Sequence, residues 1–244
     1  MLQVDLHSHS HFSLCGIHSV VEMLAHAKAI GLKGLAITDH GPAIGGRTPS
    51  TFFDRLFDPV PGIRLLKGME CNLDPKNPGA IDFPARYMPF ADVVLLGIHP
   101  NTAQGSTPAA YTDLLVAALE KNPHVDIVTH PNDALYPQEF DRLARRAAEL
   151  NVALEINNSK TALARVGDEV TGRLIRACRD AGCTVAVCSD AHALNEIGGD
   201  GAVRPLLDEA GFPESLIVNR TADAAFAWID RRRRKRQAAA GASA

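Results

Sequence analysis

The sequence lacks the features of a secreted or membrane-spanning protein. No apolar run approaches the roughly 20 residues that cross a bilayer, and residues 1–5 lack the basic region of a secretory signal. The five cysteines are an odd number at irregular spacing, which disfavours a disulfide framework. These absences predict a protein that does not enter a membrane and that works in the reducing cytoplasm.

Basic charge is scarce outside one segment. The net charge is −3, but Arg231 to Arg236 is a run of six consecutive basic residues. Without this run, 19 basic residues face 28 acidic residues, a net charge of −9. So acidic a body disfavours duplex nucleic acid as a partner, although the run itself could contact nucleic acid or an acidic protein. We predict one catalytic domain over residues 1–230 and a basic, disordered tail over residues 231–244.

Apolar, strand-like segments alternate with amphipathic helical segments along the chain. The predicted strands lie at 4–7, 34–40, 64–70, 92–99, 125–130, 152–157 and 184–190, and the predicted helices at 20–30, 109–121, 138–150, 169–181, 203–210 and 222–232. Such alternation is typical of α/β proteins with right-handed crossovers and a parallel sheet. No glycine-rich nucleotide-binding loop follows the first strand. We therefore expect a closed or nearly closed barrel of about seven strands, with a long loop over 41–62 that contains a short helix.

Histidines and carboxylates stand at the ends of six of the seven predicted strands. They are His7, His9, Asp39, His40, Glu70, His99, His130, Asp190 and His192. In a parallel barrel all strand ends of this kind open on one face, where barrel enzymes keep their active sites. The donors outnumber the four ligands of one tetrahedral ion, so two or three divalent ions are predicted. Mixed nitrogen and oxygen donors suit zinc, manganese or iron better than calcium.

A centre of this kind is suited to the hydrolysis of phosphate esters. Clustered ions acidify a shared water, so that a bridging hydroxide attacks phosphorus, and they stabilise both the attacking and the leaving oxygen. Glu70 could bridge two of the ions. Asp5 and Asp39 precede ligand histidines, and we expect them either to accept a hydrogen bond from a ring N–H or to serve as buried hydrogen-bonding residues.

The ordered motifs resemble the PHP family, named for polymerase and histidinol phosphatase. They are His7-Ser8-His9, Ile37-Thr38-Asp39-His40, Gly68-Met69-Glu70, Thr129-His130-Pro131 and Ser189-Asp190-Ala191-His192. Within the family, the chain is most similar to the YcdX-like bacterial phosphatases. The resemblance implies a distorted (β/α)7 barrel in a single domain, three metal ions that are usually zinc, and self-association, as a trimer.

The resemblance also implies a ligand set for each ion. The sets are His7, His9, Glu70 and Asp190 for the first ion, Glu70, His99 and His130 for the second, and His40, His192 and residue 15 for the third. The related phosphatases have histidine where this chain has Cys15. A cysteine can bind zinc as a thiolate, and His18 is the alternative ligand. If neither binds, Cys15 is a small loop residue and the third ion binds weakly.

The predicted catalytic residues are Asp190, His9 and Arg165. Asp190 and His9 lie among the implied ligands, and either His9 or a metal-bound water is the candidate general acid. Arg165 matches an arginine of the related phosphatases and could hold a phosphate through two hydrogen bonds. Lys160 and Arg47 are looser candidates, and an exposed surface charge is the alternative role for each of the three basic residues.

We therefore predict a hydrolase of small phosphate monoesters. The alternatives are a 3′–5′ exonuclease or phosphodiesterase acting on nucleic acid, a histidinol-phosphate phosphatase, and a non-catalytic partner domain stabilised by metal. The acidic body argues against a nuclease, and the nearly complete ligand set argues against a non-catalytic domain. Histidinol phosphatases of this family are usually longer than 244 residues.

Overall fold

Seven parallel strands form the centre of the computed structural model, which describes residues 1–241. The strands are β1 (Val4–Asp5), β2 (Gly34–Ile37), β3 (Arg64–Asn72), β4 (Val93–Gly97), β5 (Ile127–Val128), β6 (Ala153–Asn157) and β7 (Val185–Cys188). Each strand pairs with the next in the chain. The two edges of the sheet meet where Ser8 pairs with Ala191. The sheet is therefore a nearly closed barrel, and the predicted distorted (β/α)7 fold in a single domain is confirmed.

Eight α-helices are found in the described part of the chain. They are α1 (Val20–Ala29), α2 (Ser50–Asp54), α3 (Pro108–Lys121), α4 (Phe140–Leu150), α5 (Asn158–Ala162), α6 (Asp168–Ala181), α7 (Arg204–Glu209) and α8 (Ala222–Gly241). Local signals set several boundaries. Ser19 and Glu22 form a capping box at the start of α1, and Gly182 ends α6 with a φ of 63°. None of these helices is long and apolar enough to cross a membrane.

Two apolar layers surround the strands because successive side chains of a strand point to opposite faces. The outer layer packs the barrel against its helices. The inner layer is made largely of small and aliphatic residues, and includes Val4, Leu6, Ala36, Leu66, Val93, Leu95, Ile127, Ala153, Ala186 and Cys188. Ala225, Trp228 and Ile229 of α8 join this inner layer. The last helix therefore closes the amino-terminal end of the barrel and leaves the carboxyl-terminal end for the site.

The basic run is part of α8, so the prediction of a disordered tail is wrong for residues 231–241. Arg232 and Arg236 are buried, and both form ion pairs with the buried carboxylate of Asp126. Arg233 pairs with Asp92 at 2.9 Å. The composition of the run gave no sign of this packing, because both acidic partners lie more than 100 residues earlier in the chain. Residues 242–244 of the predicted tail lie outside the described residues.

Candidate metal centre

The predicted ligands meet at the carboxyl-terminal end of the barrel. They form three overlapping groups in which all ligand atoms lie within 4.8 Å of one another: His7, His9 and Asp190; His40, Glu70 and His99; and His9, Cys15, His40 and His192. His130 adjoins the second group, with its Nε2 atom 2.9 Å from Oε1 of Glu70. The structure therefore brings all nine predicted ligands into one cluster.

Glu70 occupies the middle of this cluster, and its carboxylate is buried. Its Oε1 atom lies 3.2 Å from Nε2 of His99 and 2.9 Å from Nε2 of His130. Its Oε2 atom lies 2.7 Å from Nδ1 of His40 and 3.5 Å from Nε2 of His7. The two oxygens thus face different histidines, which is the arrangement that a carboxylate shared between two ions requires.

Several buried atoms of the cluster point their lone pairs at one another. The Nε2 atoms of His7 and His9 lie 3.0 Å apart, and each faces Oδ1 of Asp190, at 3.5 and 3.2 Å. In the described part of the chain, Nδ1 of His40 and Oε2 of Glu70 are buried and face each other at 2.7 Å, but neither forms a hydrogen bond of good alignment. An unsatisfied buried polar atom costs about 1–3 kcal/mol. Because a divalent cation satisfies converging lone pairs, these residues fit a metal centre.

The electrostatics of the cluster also favour cations. Burial raises the pKa of Asp190, but the neighbouring rings of His7 and His9 outweigh burial and hold that pKa well below its ordinary value. Burial lowers the pKa of His9 to about 3, so its ring is neutral, as a metal ligand must be. Burial also lowers the pKa of His40, but Glu70 and its other neighbours outweigh burial and raise that pKa to about 10. Surroundings that stabilise a proton on His40 stabilise a metal cation as well.

Glu155 orients two ligands and was not predicted from the sequence. Its Oε1 atom lies 2.7 Å from Nδ1 of His7, and its Oε2 atom accepts a hydrogen bond from the backbone N–H of His130 at 2.6 Å. A carboxylate on the far nitrogen of a ligand histidine fixes the ring orientation and raises its basicity. The available signal was an acidic residue inside an apolar strand, two positions after Ala153, which points into the barrel.

Asp5 and Asp39 take the second of the two roles considered for them. Asp39 accepts hydrogen bonds from the backbone and the hydroxyl groups of Ser10 and Ser13. Ser13 in turn contacts Nδ1 of His9, with its Oγ atom 3.1 Å away. Asp5 accepts from Ser189, next to Asp190 in the chain. Both carboxylates therefore fix the loops that carry ligands, and neither bonds to an imidazole ring in the described structure.

Two ligands lie at backbone positions that non-glycine residues rarely adopt. His130 has a φ of 31° and Asp190 a φ of 54°. Left-handed conformations of this kind cost about 1–3 kcal/mol and cluster at functional sites. Glu155 holds the backbone of His130, and the side-chain amide of Asn157 donates to Oδ2 of Asp190 at 3.0 Å. The sharp turns after β5 and β7 therefore help to set the positions of both side chains.

The structure distinguishes between the two candidate ligands of the first loop, which connects β1 to α1. Cys15 belongs to the group that contains His40 and His192, whereas His18 belongs to none of the three groups. Burial raises the pKa of the Cys15 thiol, but hydrogen bonds with His192 and His40 outweigh burial and lower the pKa to about 6. Cys15 is exposed, so the thiol lies at the solvent side of the cluster.

The three candidate phosphate-binding residues follow strands at the same end of the barrel, Arg47 and Arg165 in loops and Lys160 in the short α5. Arg165 is exposed on the turn after α5, and Arg47 is exposed in the loop after β2. Nζ of Lys160 pairs with Oδ2 of Asp133 at 2.7 Å. Among the described residues, none of the three forms a hydrogen bond or an ion pair with the nine ligands. Their role in phosphate binding stays a prediction.

Residues 5–159 match the family model described as "PHP domain". The chain belongs to the PHP domain family. This PHP domain protein is 35% identical to a probable phosphatase of Shewanella sediminis, over 95% of each chain. It is 34% identical to a probable phosphatase of Syntrophotalea carbinolica, over 93% of this chain and 95% of that relative. The family resemblance predicted from the strand-end motifs is confirmed, and these relatives support a phosphatase or phosphoesterase.

Solved structures share the fold of this PHP domain. One is histidinol phosphate phosphatase from Lactococcus lactis in complex with zinc, L-histidinol and phosphate, with a TM-score of 0.66, 17% identity, and coverage of 86% of this chain and 94% of that one. Another is a chain of an archaeal ribonuclease P with mature tRNA, with a TM-score of 0.61, 17% identity, and coverage of 94% and 90%. At this identity the likeness concerns the fold alone.

Proposed function

We propose that this PHP domain protein is a metal-dependent hydrolase of small phosphate monoesters. The observation that carries the proposal is the ligand cluster around Glu70, in which Oε2 of Glu70 and Nδ1 of His40 are buried 2.7 Å apart without the alignment of a hydrogen bond. Burial of polar atoms without good hydrogen bonds destabilises a fold, and a bound cation would compensate for that cost. The cluster also lies at the carboxyl-terminal end of a parallel barrel, where such folds carry catalysis.

The nine ligands would hold two or three divalent ions, with zinc preferred and manganese or iron as alternatives. Imidazole nitrogens, carboxylates and one thiolate are donors that suit zinc, and the Lactococcus lactis enzyme of the same fold was solved with zinc and phosphate. Bound ions of this kind acidify water as the nucleophile and stabilise the charge that develops on the phosphoryl oxygens.

The residues of the chain have separate roles in this proposal. Asp190 and Glu70 supply the carboxylates of the centre, and Glu155 keeps His7 oriented. His9 acts as a ligand and not as the general acid, because Nδ1 contacts Ser13 and Nε2 faces His7. The proton for the leaving oxygen would then come from water.

Arg165 is proposed to bind the phosphate of the substrate. Its guanidinium is exposed at the carboxyl-terminal end of the barrel, and a guanidinium can donate two parallel hydrogen bonds to a phosphate. Lys160 is less suited, because its ammonium group already pairs with Asp133. The proposal also includes a small phosphorylated molecule as substrate and a cytoplasmic location. It further includes self-association, which sedimentation of the purified protein would measure.

Metal content and hydrolysis of p-nitrophenyl phosphate, measured on the same purified samples, test the proposal. We expect two to three ions per chain and metal-dependent hydrolysis in the unaltered protein. Asp190→Ala should lose both, whereas Asp230→Asn, a carboxylate change at the opposite end of the barrel, should lose neither. Fewer than one ion per chain after reconstitution with zinc or manganese, together with no hydrolysis, would overturn the proposal.

A further inference from the structure

We infer that Cys15 makes the third group of ligands a thiolate site, selective for zinc-like ions over manganese and magnesium, while the other two groups accept either kind of ion. This inference rests on the proposed metal-dependent function and deepens it. It is specific to this chain, because the related phosphatases have histidine where this chain has Cys15.

The donor sets of the three groups differ in one respect. The group of His7, His9 and Asp190 and the group of His40, Glu70 and His99 each contain a carboxylate. The group of His9, Cys15, His40 and His192 contains none, and has a sulfur atom instead. Thiolate selects zinc and other soft or borderline ions, whereas carboxylate and water suit magnesium and manganese. Selectivity should therefore differ within a single cluster.

The first loop holds Cys15 in place for this role. On one side Ser13 is fixed by hydrogen bonds to Asp39, and on the other the backbone N–H of Ile17 donates to the carbonyl of His192 at 3.2 Å. Gly16 allows the close path between them, because a Cβ atom there would lie 2.1 Å from the carbonyl oxygen of Ser10. The thiol is therefore held near the imidazoles by the backbone on both sides.

The distances suit a tetrahedral ion after a small contraction. Zinc–nitrogen bonds of about 2.1 Å and a zinc–sulfur bond of about 2.3 Å place tetrahedral ligands roughly 3.5 Å apart. The ligand atoms of the Cys15 group already lie within 4.8 Å of one another. His9 has only one nitrogen free of Ser13, and that Nε2 atom lies 3.2 Å from Asp190. We therefore assign Cys15, His40 and His192 to the third ion, which would leave Glu70 and His99, with the adjoining His130, for the second.

Cobalt titration of the metal-free full-length protein tests the inference through a signal other than activity. Thiolate bound to Co²⁺ gives a near-ultraviolet charge-transfer band that imidazole and carboxylate do not give. The four other cysteines are buried and belong to none of the three ligand groups, so a band that Cys15→Ser abolishes comes from Cys15. We expect the band in the unaltered protein, competed away by equimolar zinc and unaffected by a large excess of manganese.

Three variants complete the design. Cys15→Ser should lose the band and one bound ion per chain. Cys15→His should lose the band, keep the ion, and gain tolerance for manganese at that site. His18→Ala is the matched control from the same loop, and should keep both the band and the ion.

The outcomes separate the inference from the proposed function. Cobalt bound to the unaltered protein without a thiolate band, or a band that survives in Cys15→Ser, would overturn the thiolate site and leave the metal-dependent function standing. Displacement of the band by manganese as readily as by zinc would overturn the selectivity. Failure to bind cobalt at any stoichiometry would instead contradict the proposed function itself.

Discussion

The two ends of the barrel both bury charged groups, but they compensate for the cost differently. At the amino-terminal end, each oxygen of the buried Asp126 accepts from an arginine of α8, Arg232 or Arg236. At the carboxyl-terminal end, Nδ1 of His40 and Oε2 of Glu70 face each other at 2.7 Å, and neither has a well-aligned hydrogen bond among the described residues. Charges matched by fixed partners of the same chain hold the fold together. Nitrogen and oxygen atoms that converge on one another without such partners are instead suited to bind a cation.

The largest expected effect is a loss of stability at the amino-terminal end. Asp126→Ala leaves two buried arginines without their counter-charge, and breaking a buried ion pair in this way costs about 3–5 kcal/mol. We expect this decrease in the free energy of unfolding by urea denaturation, with unchanged specific activity of the folded fraction. Asp113→Ala, which removes an exposed partner of Arg142, is the control and should cost little. A decrease for Asp126→Ala no larger than that of the control would show that the arginine contacts do not stabilise the fold.

Metal removal should affect the opposite end by a smaller amount. An ion present at about 100 times its dissociation constant stabilises the folded state by about 2.7 kcal/mol, so a chelator should lower the melting temperature and abolish hydrolysis. Asp126→Ala should retain the full metal-dependent shift, because distant sites act additively. Asp190→Ala should lose it. An equal shift in both variants would mean that the metal binds somewhere other than the cluster.

Glu155→Gln should weaken metal binding without abolishing it. The substitution keeps the shape of the side chain but removes the negative charge that faces His7 and the backbone of His130. Loss of such a supporting carboxylate typically lowers metal affinity by about 10–100-fold. Competition against a chromophoric chelator measures this affinity, with the exposed Glu149→Gln as the matched control. An unaltered metal affinity would contradict the supporting role of Glu155.

The smallest effect is expected for the half-exposed ion pair of Asp230 with Arg64, which lies 2.6 Å away. An exposed pair contributes less than about 1 kcal/mol, so Asp230→Asn should lower the free energy of unfolding only slightly at pH 7. The hydrogen bond from Arg64 lowers the pKa of Asp230 in the folded protein. Its contribution is therefore present above the unfolded pKa and disappears as the pH falls through the folded pKa. A difference between variant and unaltered protein that persisted in strong acid would contradict this origin.

The strand-end ligands could be predicted because their signals are local and repeated. Apolar segments such as 92–99 end in histidine or acid, and a parallel barrel brings such ends together whatever the loops between them do. The six predicted helices are all present, with α8 continuing beyond the predicted end at residue 232. The short α5 was not predicted. It begins where the side chain of Asn157 accepts from the backbone of Lys160, and its five residues give no periodicity to detect.

Glu155 and the buried basic run were missed for a different reason. Neither a glutamate in an apolar strand nor six consecutive basic residues predicts a role from sequence, because the role of each depends on distant partners. Glu155 acts on His7, and Arg236 on Asp126. Partners separated by more than 100 positions are brought together by the closure of the barrel and by the packing of α8, not by any local pattern.

The sequence alone determined the barrel, its family and eight of the nine ligands at its carboxyl-terminal end, because strand periodicity and strand-end residues are properties of short segments. Tertiary structure decided which ligands share a group, that Cys15 and not His18 faces His40 and His192, and that the arginines of α8 are buried against Asp126. These outcomes depend on distances of a few ångströms between segments far apart in the chain, and such distances are fixed only when the apolar layers pack.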